Sequence, residues 1–525
     1  LRFTFAAMLD LLIVLLYFTV IMVVALRGRS REEETSVEAY FLSNRNLRWP
    51  SVAMSTIATN IQGYQFLGMM GSAYLYGLAQ ANLEINAVQG ILLAAFLFVP
   101  LYLKEKVITI TQFIELKVGP KVALAYSLAN MALFATVTLG AALFWGSFAA
   151  ESVFSEYFAF ISPDPLVRMG VIIIVLGVFS AIYTYLGGLA AVVKTDIIQF
   201  AILVTGGIVV TLVAVHHLGG WGQLYEKTPQ LMHLHLPATH EKLPWTLMFG
   251  LFFLNINYWC ANQSVVQRSL AARSLREAQI GLMVGGVTKY LMAIIVIIPG
   301  IALYGILQEQ GGGLADPDTT FPYLVQTYLP TGVKGIILCA LFASLMSTVD
   351  STFNSLATLW SVDVYKRYLR PEATDAEMVR AGRRTILVTL FTGVTMGLVL
   401  MYLKFHNPES AFTHTLNELR YYINCGIVVV ILSAALLIAP LPNITLAAFL
   451  SSAVVNLGIQ YFFPDMNYFV RAGFVILGLF LVVQVPAAKG RFRPLREWFT
   501  ADSKDVVWCG VGLAMSLVVL HVVFH

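Results

Sequence analysis

Ser51-Val-Ala-Met-Ser-Thr-Ile-Ala-Thr-Asn-Ile-Gln-Gly-Tyr-Gln-Phe-Leu-Gly-Met-Met-Gly-Ser72 is long enough to cross a bilayer, yet it carries Ser, Thr, Asn, Gln and Gly where a lipid-facing helix carries Leu and Val. Hydrocarbon offers such side chains no partner, so a helix built from them belongs among other helices. Five spans later, residues 249–263 repeat the mixture with Asn255, Asn257, Asn262 and Gln263, and cross in the opposite direction. Two polar, broken helices offset in this way are what an inverted five-helix repeat produces, with a binding site at their unwound midpoints. A second reading, in which the same residues only knit helix to helix, stays open at this stage.

The rest of the chain agrees with a membrane setting. Of 525 residues, 58% are hydrophobic and 12% charged, against about 25% charged in an average soluble domain. Apolar runs such as 8–26, 171–186 and 427–439 are continuous, unlike the short alternating segments of a barrel. A water-soluble globular protein is excluded, and an all-α polytopic membrane protein in a lipid bilayer is expected. The net charge of +4 is modest, and no nucleic-acid partner is expected. Cys260, Cys339, Cys425 and Cys509 lack paired or metal-ligand spacing and are expected to be free thiols. The run 8–26 is too long for a signal-peptide core and reads as a retained first helix.

Polar breaks divide the chain into about fourteen candidate spans, at 8–26, 51–75, 82–103, 122–150, 168–187, 192–216, 244–263, 277–306, 333–361, 384–404, 421–440, 444–463, 467–487 and 505–524. Loops 1, 3, 7, 9 and 13 hold clusters of Lys and Arg, among them Arg45, Lys117, Arg268, Lys366 and Arg491. The excess of base on the cytoplasmic side places these loops inside and both termini outside. One transmembrane domain is expected to take up 1–525. It comprises a peripheral helix 8–26, a first repeat 51–216, a second repeat 244–440 and C-terminal peripheral helices 444–524.

Ionisable groups at membrane depth are costly and point to function; here they are Glu84, Asp196, Lys289 and Asp350. Glu84 and Lys289 also suit a purely structural ion pair, and Asp196 also suits cytoplasmic water. In the ninth span, Ser344, Ser347, Thr348 and Ser351 share one helical face. With carbonyls freed by a broken neighbour, that face makes an oxygen site for a hard cation such as Na⁺. Hydroxyls bonding back to their own helix explain the same spacing.

These residues resemble the sodium:solute symporter family, and within it the sodium/glucose and sodium/galactose cotransporters. The resemblance rests on Tyr183-Thr-Tyr-Leu-Gly-Gly-Leu-Ala-Ala191, Thr195-Asp196-Ile-Ile-Gln199, Asn255-Ile-Asn-Tyr-Trp259, Asn262-Gln263, Gln267-Arg268, Asn354-Ser355 and Asp363-Val-Tyr365, in that order along the chain. It implies alternating-access import of a small neutral sugar or polyol, such as glucose or galactose, coupled to Na⁺. Carried over residue by residue, it implies a sugar site of Gln65, Glu84, Asn255, Lys289, Met69 and Asn417, with Tyr258 as the inner aromatic gate. Asn417 stands where a glutamine is usual, and Ala87, Leu83 and Thr413 replace a serine, a tyrosine and a phenylalanine. The resemblance further implies one Na⁺ held by the carbonyls of Ala58, Ile61 and Ser344 and the hydroxyls of Ser347 and Thr348. A further sodium site of some relatives maps onto Asp196, Ser347, Asp350 and Ser351. A sialic-acid branch uses an arginine in the fourth span, where 122–150 has none, so an acidic sugar is not expected.

Inositol, monocarboxylate, amino-acid and sialic-acid symport, a channel and a transporter-derived sensor are the alternatives. An enzyme is not expected, because no GxxxxGK[ST], HExxH or CxxC occurs. His233, His235 and His240, in one loop, are the remaining metal candidates.

Overall fold

The computed structural model describes residues 5–27, 35–330, 332–406 and 412–525. Among them the chain is helical, with isolated bridges and no strand. Eleven of the described helices are long and apolar enough to cross a membrane. The expected segments depart from simple continuous helices in three places, each with a physical reason.

Pro165–Leu218 spans 54 helical residues in sequence. Straight, it would be about 80 Å long at 1.5 Å per residue, against a hydrocarbon core of about 30 Å. The chain is interrupted at Gly188, whose φ of 52° and ψ of −145° lie in a region that essentially only glycine adopts. A Cβ there would sit 2.3 Å from the Tyr40 carbonyl oxygen. The phenol of Tyr40 donates to the carbonyls of Thr184 and Tyr185, each at 3.0 Å, and so pairs backbone groups next to the interruption. The expected segments 168–187 and 192–216 lie on its two sides.

The polar stretch from Ser51 breaks as expected. Helix Trp49–Asn60 begins with Pro50 in its first turn and stops at Ile61, which has extended φ/ψ of −84° and 124°. The chain becomes helical again at Gly63 and runs through a wide turn at Gln65–Met69 into Met70–Tyr76.

The seventh segment also breaks, but at its end. Helix Leu247–Cys260 stops at Ala261, and Asn262 caps the next helix, Gln263–Leu270, by accepting from the Ser264 N–H at 2.9 Å. Arg268, expected in a basic cytoplasmic loop, is therefore helical and 0% exposed. A guanidinium buried among hydroxyls and a carboxylate reads in a sequence like any loop arginine.

The two broken helices are tied end to end. Leu47 donates to the Ala271 carbonyl at 3.0 Å and accepts from Arg273 at 2.9 Å, and Arg45 bonds the Leu270 carbonyl at 3.1 Å. Helix Leu275–Glu309 packs on Trp49–Asn60, and Ala87–Leu93 packs on Leu247–Cys260. The latter pair approach so closely that a Cβ on Gly90 would lie 2.7 Å from the Asn255 carbonyl. Val333–Thr358, carrying the hydroxyl face, is almost wholly buried at the centre. Apolar side chains such as Leu15, Phe391, Val454 and Trp508 are exposed on the outer helices, as a hydrocarbon surround requires.

Gly188→Ala is expected to destabilise the protein by about 2 kcal/mol or more, from backbone strain and the collision with Tyr40. Gly478→Ala, at a helical glycine with open space around it, is the control. Thermal unfolding in detergent should show a large drop for the first and little change for the second.

Candidate substrate and ion site

Both broken helices open onto one cavity of about 500 Å³, within the roughly 300–1,000 Å³ of small-molecule sites. Gln65, Met69, Glu84, Asn255, Tyr258 and Lys289 all line it. Asn417 lies on the helix Phe412–Leu436, but its side chain, like that of Thr413, is outside the described residues. Asp316, Pro317, Asp318, Lys242 and Lys404 also line the cavity.

Glu84 and Lys289 are 4% and 2% exposed and form an ion pair. Each has further partners. The Lys289 ammonium donates to Asn60 Oδ1 at 2.6 Å, and Gln65 Nε2 donates to Glu84 Oε1 at 2.7 Å. Gln65 Oε1 in turn accepts from the Gln62 backbone N–H at 2.7 Å. Asn255 Nδ2 donates to the Asn86 carbonyl at 2.9 Å. The wall thus holds a carboxylate, an ammonium and several amides, which together offer both donors and acceptors to a ligand rich in hydroxyls. Asn60 and Gln62, at the break in the polar stretch from Ser51, join the site only through the fold, because nothing in their spacing separates them from their polar neighbours.

The break also brings backbone and hydroxyl oxygens together. Because Gln62 donates to Gln65, the N–H four residues after Ala58 is not available to its carbonyl. Ser344 Oγ lies 3.1 Å from the Ile61 carbonyl, and Thr348 Oγ1 lies 3.4 Å from Thr59 O and 3.5 Å from Ile61 O. Ile61, Ser344 and Thr348 are therefore brought together as an all-oxygen set of the kind hard cations take. Ser347 points elsewhere and donates to Asp196 Oδ1 at 2.5 Å.

Asp196, Ser347, Asp350 and Ser351 form a second, fully buried cluster, and Arg268 sits in it. The guanidinium lies 3.3 Å from Asp196 Oδ2, bonds Ser351 Oγ, and donates to Ser55 Oγ at 3.0 Å. Ser55 also bonds Asp196. Asp350 accepts from the Tyr183 phenol at 2.6 Å. A tethered cation thus already faces Asp196, a partner hidden from sequence reading by the loop assignment of Arg268.

The loop histidines do not converge. His235 Nε2 lies 3.0 Å from His521 Nδ1, His233 faces the His525 carbonyl, and His240 accepts from the Leu243 N–H at 3.0 Å. No group of three metal-ligating side chains occurs among the described residues.

Known proteins resemble this chain along most of its length. Residues 40–434 match the model of the Sodium:solute symporter family. A Sodium/glucose cotransporter of Vibrio parahaemolyticus is 33% identical over 408 residues, 73% of this chain and 73% of that protein. Sodium/glucose cotransporter 1 of Sus scrofa is 30% identical over 73% of this chain and 62% of its own length, so the chain spans less than two thirds of that mammalian relative. Among solved structures, the substrate-bound outward-open state of a Na⁺-coupled sialic acid symporter shares the fold, with a TM-score of 0.79, 18% identity, and 92% and 99% of the two chains covered.

Removing one member of the Glu84–Lys289 pair leaves the other buried without its counter-charge, at a cost of about 3 kcal/mol. Glu84→Gln and Lys289→Met should each lower thermal stability by that order. The double variant should recover much of the loss, because neither charge is then stranded. Losses in the double variant that equal the sum of the singles would show that the two side chains do not act as a pair.

Proposed function

Because the chain belongs to the sodium:solute symporter family, we propose that it is a Na⁺-coupled symporter that imports a hexose such as glucose or galactose, or a polyol, by alternating access. It is a multi-pass membrane transporter rather than an enzyme. The observation that carries the reading is the adjacency of the two sites at one break. Ile61 presents its carbonyl to Ser344 and Thr348, and the next residue, Gln62, bonds Gln65, which bonds Glu84 in the cavity wall. The relatives named Sodium/glucose cotransporter support sugar and Na⁺ as the pair carried.

In this proposal Gln65, Glu84, Asn255 and Lys289, with Asn417, hold the sugar hydroxyls. Met69 packs beside the ring, and Tyr258 closes the inner side. Na⁺ sits between the carbonyls of Ala58, Ile61 and Ser344 and the hydroxyls of Ser347 and Thr348, which requires Ser347 to turn from Asp196. Residues 51–216 and 244–440 act as the two inverted repeats, flanked by 8–26 and 444–524, with both termini outside a plasma or bacterial inner membrane. In this conformation Arg268 occupies the second oxygen cluster, at Asp196, Ser347, Asp350 and Ser351, so the cation that faces Asp196 is the guanidinium rather than a second Na⁺.

One Na⁺ entering down 100 mV gains about 2.3 kcal/mol and down a tenfold gradient about 1.4 kcal/mol. Together these drive accumulation of a neutral sugar by about several hundred-fold. In proteoliposomes, concentrative hexose uptake should vanish when Na⁺ is replaced by choline, and one charge should move per sugar in both wild type and Asp350→Ala. Uptake indifferent to Na⁺ would refute the function. A ratio of two that falls to one in Asp350→Ala would place a second ion in the Arg268 cluster.

A further inference from the structure

Arg420, on the helix Phe412–Leu436, lines the cavity together with Asn424 one turn further on. It is half-buried. Its guanidinium has a single hydrogen-bond partner among the described residues, the neutral Thr138 hydroxyl at 3.1 Å. Tyr64 and Tyr258 line the same cavity, and the charge of Arg420 acts on both phenols. The nearby carboxylates are committed elsewhere. Glu84 is held by Lys289 and Gln65, Glu418 by Arg471, and the cation acting on Asp318 is Lys404. The cavity wall therefore carries one cation with no acidic partner among the described residues. Most of its five N–H donors, fixed in a planar fork, have no partner among the described residues.

We propose that Arg420 is a carboxylate subsite of the sugar cavity, and that the protein carries hexuronates as well as neutral hexoses. This rests on the sugar reading above. A hexuronate keeps the ring hydroxyls that Glu84, Lys289 and Asn255 suit. It replaces the terminal CH₂OH with a planar pair of acceptor oxygens, the group a guanidinium recognises bidentately. The absence of Arg and Lys within 122–150 is no obstacle, because the cation arrives from a neighbouring helix and rests on Thr138 of that same segment. Ionisable side chains at membrane depth are retained where they meet a substrate or a partner, and Arg420 has the cavity in front of it.

The test is competition of Na⁺-driven uptake of labelled glucose into proteoliposomes by unlabelled glucose, galactose, glucuronate and galacturonate. In the wild type each uronate should compete at least as well as its parent hexose. Arg420→Ala should lower the uronate-to-hexose affinity ratio roughly tenfold to a hundredfold, the range of a charge-assisted hydrogen bond. Arg420→Lys should give an intermediate ratio, because it keeps the charge and loses the fork. Glucose uptake that no uronate inhibits would overturn the proposal and leave the sugar reading standing. So would equal losses for uronate and hexose in Arg420→Ala, which would mark Arg420 as a strut against Thr138. Failure to take up any of the four with Na⁺ would overturn both.

Discussion

A helix inside a bilayer has no water to satisfy a backbone group it releases, and the interruption at Ile61 and Gln62 is where this chain meets that constraint. Three things follow from it. The freed carbonyl of Ile61 faces Ser344 and Thr348. The released N–H of Gln62 is taken by Gln65, which fixes that side chain against Glu84. Asn60, the last helical residue, holds Lys289. The proposed ion site and the polar cavity wall are thus two sides of one break. In the proposed function Na⁺ and sugar act on the same short piece of backbone.

The buried charges obey the same economy. Each membrane-depth carboxylate has a donor close by, Glu84 with Lys289, Asp196 with Arg268 and Ser347, Asp350 with Tyr183. Isolated, any of them would be expensive. The partners come from different segments of the chain, so each pair also ties one helix to another. Ser347 links the two oxygen clusters, since its hydroxyl is bonded to Asp196 while its neighbours Ser344 and Thr348 face the Ile61 carbonyl. In the proposed sodium site, a rotation of that one side chain trades Asp196 for the cation.

Much of this was legible in the residues and some was not, for reasons that are physical. The polar stretch from Ser51 announced its break because Asn, Gln and Gly are costly on a lipid face. The interruption at Gly188 fell between two expected segments. Glu84 and Lys289 stood out because charge at membrane depth is rare. Arg268 and Arg420 were not readable in the same way. A basic residue at the edge of an apolar run looks like a cytoplasmic or interfacial anchor, and only the fold shows one sealed beside Asp196 and the other facing the cavity. The choice of Ser347 for Asp196 was also hidden, because spacing along one helix puts hydroxyls on a face without saying which neighbour they meet. The single interruption of the seventh segment lies at its end, where Asn262 caps the following helix, a detail that side-chain polarity alone does not locate.

If one break serves both ligands, their binding must be linked, and linkage is reciprocal. The direct test is calorimetric titration of the purified protein with glucose at zero and saturating Na⁺, and with Na⁺ at zero and saturating glucose. The account predicts that Na⁺ raises sugar affinity, that sugar raises Na⁺ affinity by the same factor, and that Thr348→Ala reduces both together. Sugar affinity independent of Na⁺ would contradict it.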